Sequence, residues 1–324
     1  MFELENKLDV VSLGEYLIDF TPIGSNASGY PLFEMNPGGA PVNCIVACSL
    51  LGGKTSFIGT LGDDNFGRFL KSVIESKNIN SEGITFIPES NTTLVFVMID
   101  ESGDRQFEFV GKPGADTQLK KDDINFSLID RCKYLHFGTI SLIQEPSRTA
   151  TLEAINYAKS RGKRISYDPN YRLNLWPDKK SIVKEMIDML SLVNTVKCSL
   201  EEMQLLFDLE PHQLEVGASY LLDFGVDTVY ITMGKDGAYY ATENERGKVD
   251  GFQVNTIDTT GCGDAFMGAA LFFEIHKPNI PMQRRVMLAN AVGAICSTRR
   301  GGLPAMPSLH ELEIFLEERN LHIG

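Results

Sequence analysis

The sequence contains no long run of apolar residues. Spanning a bilayer takes about 20 consecutive apolar residues, and no apolar stretch in the 324 residues approaches that length. The first seven residues are polar and acidic, without the basic and then apolar order of a secretory signal. We therefore predict no membrane partner and a cytoplasmic location.

Basic residues are also scarce. The chain has 30 lysines and arginines against 43 aspartates and glutamates, which gives a formal net charge of −13. A chain this acidic repels nucleic acid and anionic lipid, so we predict no nucleic-acid partner. A small anionic substrate stays open, because backbone amides at a helix start can bind it locally.

Cysteine and histidine are too few and too dispersed for a metal cluster. The six cysteines form no C-x-x-C pair, and the five histidines are spread along the chain. Cys44 and Cys48 would share one helix face, but two sulfurs without nearby histidines make a poor zinc site. Reduced, buried cysteines are the better interpretation.

The chain instead shows strands alternating with helices, which predicts a mostly parallel sheet covered by helices. No linker, repeat or low-complexity segment divides it, so we expect one domain over residues 1–324. Expected strands are 10–13, 55–59, 134–137, 164–167, 192–196 and 228–232. Expected helices are 41–51, 66–77, 147–160, 200–207, 214–224, 265–275, 283–297 and 309–318.

Two segments break this alternation, residues 15–35 and 92–112. The second reads as a hairpin, with strands over 92–99 and 105–110 around a polar turn. Residues 93–99 are apolar on both faces, so each face needs a cover. One face could close over a ligand as a small antiparallel lid, and the other could meet a second subunit in a homodimer.

The most informative segment is Asp258-Thr259-Thr260-Gly261-Cys262-Gly263-Asp264-Ala265-Phe266. It follows an expected strand over 252–257 and leads into an apolar helix. A glycine turn at a helix start leaves unpaired N–H groups, which together with the helix dipole attract an anion. A carboxylate inside that site suits a base that takes a proton from a hydroxyl during phosphoryl transfer. The alternative is an ordinary capped helix with Asp264 in its first turn.

Two familiar phosphate motifs are incomplete. Gly53-Lys54-Thr55 resembles the end of a Walker A loop, but Cys48 replaces the leading glycine and a strand follows. Gly261-Cys262-Gly263 resembles the start of a dinucleotide fingerprint, but Phe266 stands at the third glycine position. Neither the P-loop nor the Rossmann interpretation therefore fits.

Polar residues near the N-terminus suit a polyol. Paired glycines, Gly38 and Gly39, precede a helix and allow a ligand close to the backbone, and Asn43 follows in the first turn. Asp19 lies among apolar neighbours and needs hydroxyl partners. The alternative for Asp19 is an exposed position on an edge strand.

Two further turns follow expected strands, at the sheet edge where open α/β sheets bind ligands. Residues 168–172 end in Arg172, which suits a phosphate or a sugar, or else pairs with Asp178 at the surface. Residues 232–237 carry two glycines and suit a nucleotide phosphate, or else begin an ordinary hairpin into residues 238–241.

Taken together, these blocks resemble the ribokinase-like (PfkB) family of carbohydrate kinases, and most closely its fructokinases. The resemblance covers nearly the whole chain, in five ordered blocks at residues 14–20, 37–43, 59–67, 166–177 and 258–264. It implies a ribokinase-like α/β fold with a small antiparallel β lid formed by about residues 15–35 and 92–112. It also implies ATP, Mg²⁺ and, in many members, K⁺.

The resemblance also implies roles for individual residues. Asp264 would be the base, and the backbone amides of Gly261, Cys262 and Gly263 would form the anion hole. The sugar would contact Asp19, Gly38, Gly39, Asn43, Arg172 and Phe107. The nucleotide would contact Thr232, Gly234, Lys235, Gly237 and Asn290. Glu202 would help to position Mg²⁺ through water, and Asp258 and Thr260 match positions that often hold a monovalent cation.

Four residues at three sites depart from the family pattern. Ser199 stands where the magnesium-linked Asn-x-x-Glu motif has its asparagine, and Cys262 replaces a usual alanine. Val110-Gly111 replaces a Tyr-Arg pair that reaches the substrate in many relatives, and Lys112 follows it.

From the resemblance as a whole, we predict an ATP-dependent fructokinase that makes a sugar 6-phosphate. The alternatives are another acceptor, such as 2-keto-3-deoxygluconate or a nucleoside, and a non-catalytic sugar sensor.

Overall fold

The structure, a computed structural model, describes residues 7–99, 105–110 and 113–324. Its strands are β1 Leu8–Leu13, β2 Leu17–Ser25, β3 Pro31–Gly38, β4 Thr55–Gly62, β5 Asn80–Ile87, β6 Leu94–Ile99, β7 Arg105–Val110, β8 Cys132–Gly138, β9 Arg164–Asp168, β10 Thr195–Ser199, β11 Thr228–Thr232, β12 Ala238–Ala241 and β13 Arg246–Val249. Its helices are α1 Ala40–Leu50, α2 Asn65–Ser76, α3 Phe126–Arg131, α4 Ser147–Ser160, α5 Lys179–Leu190, α6 Leu200–Phe207, α7 Leu214–Asp223, α8 Cys262–His276, α9 Met282–Ser297 and α10 Leu309–Glu317.

The main sheet has nine strands in the order β13-β12-β11-β10-β9-β8-β1-β4-β5. Every pairing is parallel except β11 with β12 and β12 with β13. Apolar clusters cover both faces, one holding residues of α1, α8 and α9 and the other residues of α4 and α7. Burial on both faces explains why the strands read as continuous apolar runs.

A second, smaller sheet has the order β3-β2-β6-β7. Its β2–β3 and β6–β7 pairings are antiparallel, while β2 and β6 run parallel. Phe20 of β2 stacks on Phe96 of β6, with ring centroids 4.7 Å apart. The prediction of a mostly parallel sheet with a small antiparallel lid is confirmed, with this one parallel pair inside the lid.

The helices over 147–160 and 200–207 have the predicted bounds, but the strand expected over 252–257 is wrong. These residues join no sheet. The amides of Ile257 and Asp258 instead donate to the carbonyl of Ser297 at the end of α9, at 2.8 and 3.2 Å. Phe252 packs against Phe315 of α10, with ring centroids 5.3 Å apart, whereas Ile257 is 55% exposed, so the segment is a loop with one packed aromatic residue.

None of the helices in the described part of the chain is both long enough and apolar enough to cross a membrane.

Candidate active site

The first turn of α8 is the centre of the candidate site. Gly261 caps the helix in the left-handed conformation, with φ of 78°. A Cβ there would lie 2.9 Å from the Cα of Gly302, so both the backbone angle and the space favour glycine. The turn thereby places Asp264 inside the helix's first turn, as the sequence predicted.

Asp264 is buried, and its Oδ2 accepts a hydrogen bond of 2.8 Å from Nδ2 of Asn43. Burial, together with the negative charge of Asp168, raises the pKa of Asp264 to about 6. The Lys197 ammonium and the Asn43 bond act in the opposite direction. A carboxyl with such a pKa is ionised at neutral pH and accepts a proton better than an exposed aspartate does.

The three amides proposed for the anion hole are not equivalent. The Cys262 amide donates to the carbonyl of Thr259 at 3.2 Å. The amides of Gly261 and Gly263 have no hydrogen-bond acceptor among the described residues. Because the helix dipole also points here, these two amides are the better anion donors.

Asp19 lies on β2 opposite Asn36 of β3, and it faces the same space as Asp264. Burial raises the pKa of Asp19 to about 6, partly offset by the charge of Arg172. A Cβ on Gly38 would lie 2.2 Å from Oδ2 of Asp19, so the carboxylate packs directly against the glycine. The interpretation of Asp19 as an exposed edge residue is wrong.

Two buried acceptor atoms beside this space have no partner among the described residues, Oδ1 of Asn43 and Oε2 of Glu15. Buried polar atoms without partners are rare and indicate a bound ligand or water. The other oxygen of Glu15 accepts the Ala40 amide at 2.9 Å, and burial raises the pKa of Glu15 to about 8. Gly39 has φ of 128°, and a Cβ there would meet the carbonyl of Glu15.

These groups line one cavity of about 300 Å³ between the main sheet and the lid. The lid supplies apolar wall residues from β6 and β7, namely Val95, Val97 and Phe109. Asp19 lies on this lid sheet as well, paired with Val95, whereas Asn43, Asp264 and the turn before α8 belong to the part that carries the main sheet. Of the residues predicted to bind the sugar, Phe107 lies on β7, and its side chain is outside the described residues.

Arg172 also lines the cavity, and the alternative, a pair with Asp178, is wrong, since both side chains have other partners. Its Nη1 donates to the carbonyl and side chain of Asn170 and to the carbonyl of Tyr171. Asp178 instead caps α5 by accepting from the Ser181 amide at 2.7 Å. Arg172 is thus held at the cavity by its own loop.

The residues predicted to bind the nucleotide lie outside the cavity but close to one another. Gly237 has φ of 88°, and a Cβ there would lie 2.0 Å from the carbonyl of Val249. Asn290 of α9 donates to that same carbonyl at 3.1 Å and to the Asp250 carbonyl at 3.2 Å. Thr232 ends β11, and Gly234 and Lys235 form the following turn. The hairpin into residues 238–241 is present, because β11 and β12 pair antiparallel. Phosphate binding by the turn stays a prediction.

Glu202, predicted to act on magnesium, is buried in the first turn of α6. Its two oxygens accept the amides of Ser199 at 2.7 Å and Tyr171 at 3.1 Å. Burial raises its pKa. With both oxygens engaged by amides, Glu202 suits contact with a metal through water better than direct ligation.

Asp258 and Thr260, predicted to hold a monovalent cation, form one hydrogen-bonded turn at the cavity wall. Oδ1 of Asp258 accepts the hydroxyl of Thr260 at 2.8 Å and its amide at 3.0 Å, and Oδ2 accepts the Gly301 amide at 3.0 Å. An oxygen-rich turn of this kind fits an alkali cation.

One polar pair beside the cavity was missed by the sequence analysis. Lys197 of β10 is 5% exposed, and its Nζ lies 2.7 Å from Oδ2 of Asp168 at the end of β9. The expected strand ended at residue 196, so Lys197 fell outside it. A lysine in the middle of an otherwise apolar central strand was the signal that could have revealed it.

The sequence matches the profile of the pfkB family carbohydrate kinases over residues 7–309. It is 39% identical over 315 residues to probable fructokinase-4 of Arabidopsis thaliana, covering 95% of this chain and 96% of that protein. It is 38% identical to fructokinase-2 of Oryza sativa subsp. japonica, covering 93% and 91%.

Solved structures give the same result. A fructokinase with bound ATP from Xylella fastidiosa superposes with a TM-score of 0.86 at 28% identity, covering 96% of this chain and 99% of that one. A Vibrio cholerae O395 fructokinase in a fructose-, ADP- and calcium-bound form gives 0.83 at 33% identity, covering 95% and 99%. The fold, the ordered motifs and these relatives agree: the chain belongs to the pfkB family of carbohydrate kinases.

Proposed function

We propose that the protein is an ATP-dependent fructokinase that phosphorylates the primary hydroxyl of fructose to give a sugar 6-phosphate. The observation that carries the proposal is the position of Asp264, buried in the first turn of α8 beside two unpaired amides and bonded to Asn43. Relatives named as fructokinases and a neighbour bound to fructose and ADP support the choice of acceptor.

The residues divide the work between binding and chemistry. Asp19 and Asn43 accept hydrogen bonds from sugar hydroxyls. Gly38 and Gly39 let the sugar approach the backbone. The sugar oxygen attacks the terminal phosphorus of ATP while its proton passes to Asp264 and ADP leaves. The amides of Gly261 and Gly263 stabilise the charge on the transferring group, and the lid strands exclude water as a competing acceptor.

The nucleotide lies across the cluster formed by the 232–237 turn and Asn290 in this proposal. The described residues fit magnesium held through water near Glu202 and a potassium ion at the Asp258–Thr260 turn. Magnesium would neutralise charge on the nucleotide phosphates. We also propose a cytoplasmic location, which the free state of the six cysteines supports, and a homodimer formed through the lid.

The test is an ADP-release assay across fructose, ribose, 2-keto-3-deoxygluconate and adenosine, with and without potassium. We expect fructose to give the highest kcat/KM. ADP release that is highest with another acceptor would keep the kinase chemistry and reassign the substrate. ADP release with none of them would favour a non-catalytic sugar sensor.

The Asp264→Asn variant tests the chemistry. Asparagine keeps the shape and can still contact Asn43, but it cannot take a proton, so we expect kcat to fall by about 10²–10⁴-fold. The melting temperature should stay near that of the wild type, since a buried carboxyl with a raised pKa does not stabilise the fold when ionised. Near-full activity in a folded Asp264→Asn variant would remove Asp264 from the mechanism.

A further inference from the structure

Lys197 is a charged residue on a central strand, a position where strands usually carry apolar side chains. It lies in the middle of β10, with 5% of its surface exposed. In the described ranges 7–99, 105–110 and 113–324, no other lysine or arginine is buried. Burying an ammonium costs desolvation free energy unless it is paired and hydrogen-bonded. The groups around Lys197 therefore indicate which interaction keeps the charge there.

The pairing of Lys197 is incomplete. An ammonium carries three N–H donors, and the described residues provide one acceptor, Oδ2 of Asp168 at 2.7 Å. Lys197 also lines the cavity that holds Asp264. Two buried donors at a cavity wall, without acceptors in the described part of the chain, indicate a ligand that accepts hydrogen bonds.

The position of the ammonium identifies which part of the cavity it serves. A Cβ built on Gly263 would lie 2.9 Å from Nζ of Lys197. The ammonium therefore sits against the first turn of α8, next to one of the two unpaired amides. Any anion bound by the Gly261 and Gly263 amides comes within reach of Lys197.

The charges around this point also require a cation. Lys197 is close enough to the carboxylates of Asp168, Glu202 and Asp264 for each to act on its charge. Burial alone would lower the pKa of Lys197, but these three acids more than offset that effect and raise it. The lysine thus stays protonated, and without it a phosphate group would meet three acids at close range.

We propose that Lys197 is a catalytic residue that donates hydrogen bonds to the transferring phosphoryl group, while Asp168 holds its ammonium in place. In the step, the bond from the sugar oxygen to phosphorus forms and the bond from phosphorus to the bridging oxygen of ADP breaks. The proton goes to Asp264, the electron pair leaves with ADP, and Lys197 keeps its proton throughout. The proposal rests on the kinase function proposed above.

The experiment compares Lys197→Met with the double variant Lys197→Met/Asp168→Asn. The single variant leaves Asp168 buried without its partner, which should lower the melting temperature as well as kcat. The double variant removes both charges, so we expect it to recover most of the melting temperature while kcat stays about 10²–10³-fold below the wild type. Recovery of kcat to within about threefold in the double variant would show that the pair is only structural.

Lys133→Met is the matched control, since Lys133 pairs with buried Asp9 at 3.0 Å but does not line the cavity. We expect its kcat to stay within about twofold of the wild type. A loss of kcat in Lys133→Met as large as that in Lys197→Met would overturn the specific role.

A binding measurement separates catalysis from stability. ADP with aluminium fluoride and the sugar mimics the transferring group, and calorimetry gives its affinity. We expect the double variant to bind this mimic at least about 10-fold more weakly while its affinity for ADP alone changes less than about threefold. Equal losses for both ligands would overturn the proposal. Turnover by the wild type is measured first. If the wild type is inactive, the kinase function itself is contradicted. If the wild type and the double variant are both active, only the role of Lys197 is contradicted.

Discussion

At the scale of single residues, the site depends on carboxyls whose protonation is set by burial. Asp264 and Asp19 both have a pKa raised to about 6. Both face the cavity, one as the proposed base and the other as a sugar ligand. The proposed mechanism needs the ionised forms of both carboxyls, so activity should follow their titration.

We therefore predict that kcat/KM is level above about pH 7 and falls as the pH is lowered through about 6. The slope should approach one proton if only Asp264 controls the rate and exceed one if Asp19 contributes. The measurement is a pH profile of kcat/KM with fructose.

Stability provides the control for this profile. A buried acid with a raised pKa binds its proton more tightly in the folded state than in the unfolded state, so lowering the pH from about 7 to about 5 stabilises the fold through that group. Melting curves should therefore show no loss of stability from Asp264 in the range where activity falls. A kcat/KM that stays level down to about pH 5 would contradict the prediction.

At the scale of elements, α8 and α1 approach closely enough to fix the Asn43–Asp264 contact. Gly268 of α8 faces α1, where an added Cβ would lie 2.2 Å from the carbonyl of Cys44 and 2.8 Å from the Cβ of Ala47. Small residues at this crossing bring the two helix starts, and hence Asn43 and Asp264, to one side of the cavity.

We predict that Gly268→Ala destabilises the protein by about 1–3 kcal/mol because it overpacks this crossing. Gly293→Ala in α9 is the matched control, since its Cβ would have its closest contact at 3.3 Å, with the carbonyl of Cys262. Denaturant unfolding of the two variants should show the larger loss for Gly268→Ala. An equal or smaller loss there would mean that the helices separate easily.

The sequence predicted most elements of the fold, and Asp19, Asn43 and Asp264, which it singled out, line one cavity. Strand and helix periodicity were strong, and Asp264 lies where its glycine turn indicated. The segment over 252–257 was misread because apolar residues spaced along a loop, such as the packed Phe252 and the exposed Ile257, can show the same spacing as a strand. Lys197 was missed because the expected strand ended one residue before it, and its partner Asp168 comes from another strand.

At the scale of the whole molecule, the lid carries apolar side chains that the single chain leaves exposed. Ile23 and Leu32 lie at the far end of the β2–β3 ladder, and Met98 and Val110 lie on β6 and β7. Exposed apolar groups at several positions of one small sheet are typical of an interaction surface. These residues support the proposed homodimer.

We predict a dimer in sedimentation experiments on the wild type and a shift toward the monomer in the Ile23→Asp/Leu32→Asp variant. Val216→Asp is the control, because Val216 is an exposed apolar residue on α7, away from the lid. A wild type that sediments as a monomer at assay concentration would end the proposal.

The hydrogen bond between Asn43 and Asp264 joins residues 221 positions apart in the chain. A ribosome makes the sugar-facing residues of β2, β3 and α1 early and the α8 turn late. A nascent or truncated chain that stops before α8 contains the residues of β2, β3 and α1 but has neither the proposed base nor the amides beside it. Chains that stop before α8 therefore cannot carry out the proposed phosphoryl transfer. The activity requires α8, which is made only after all nine strands of the main sheet.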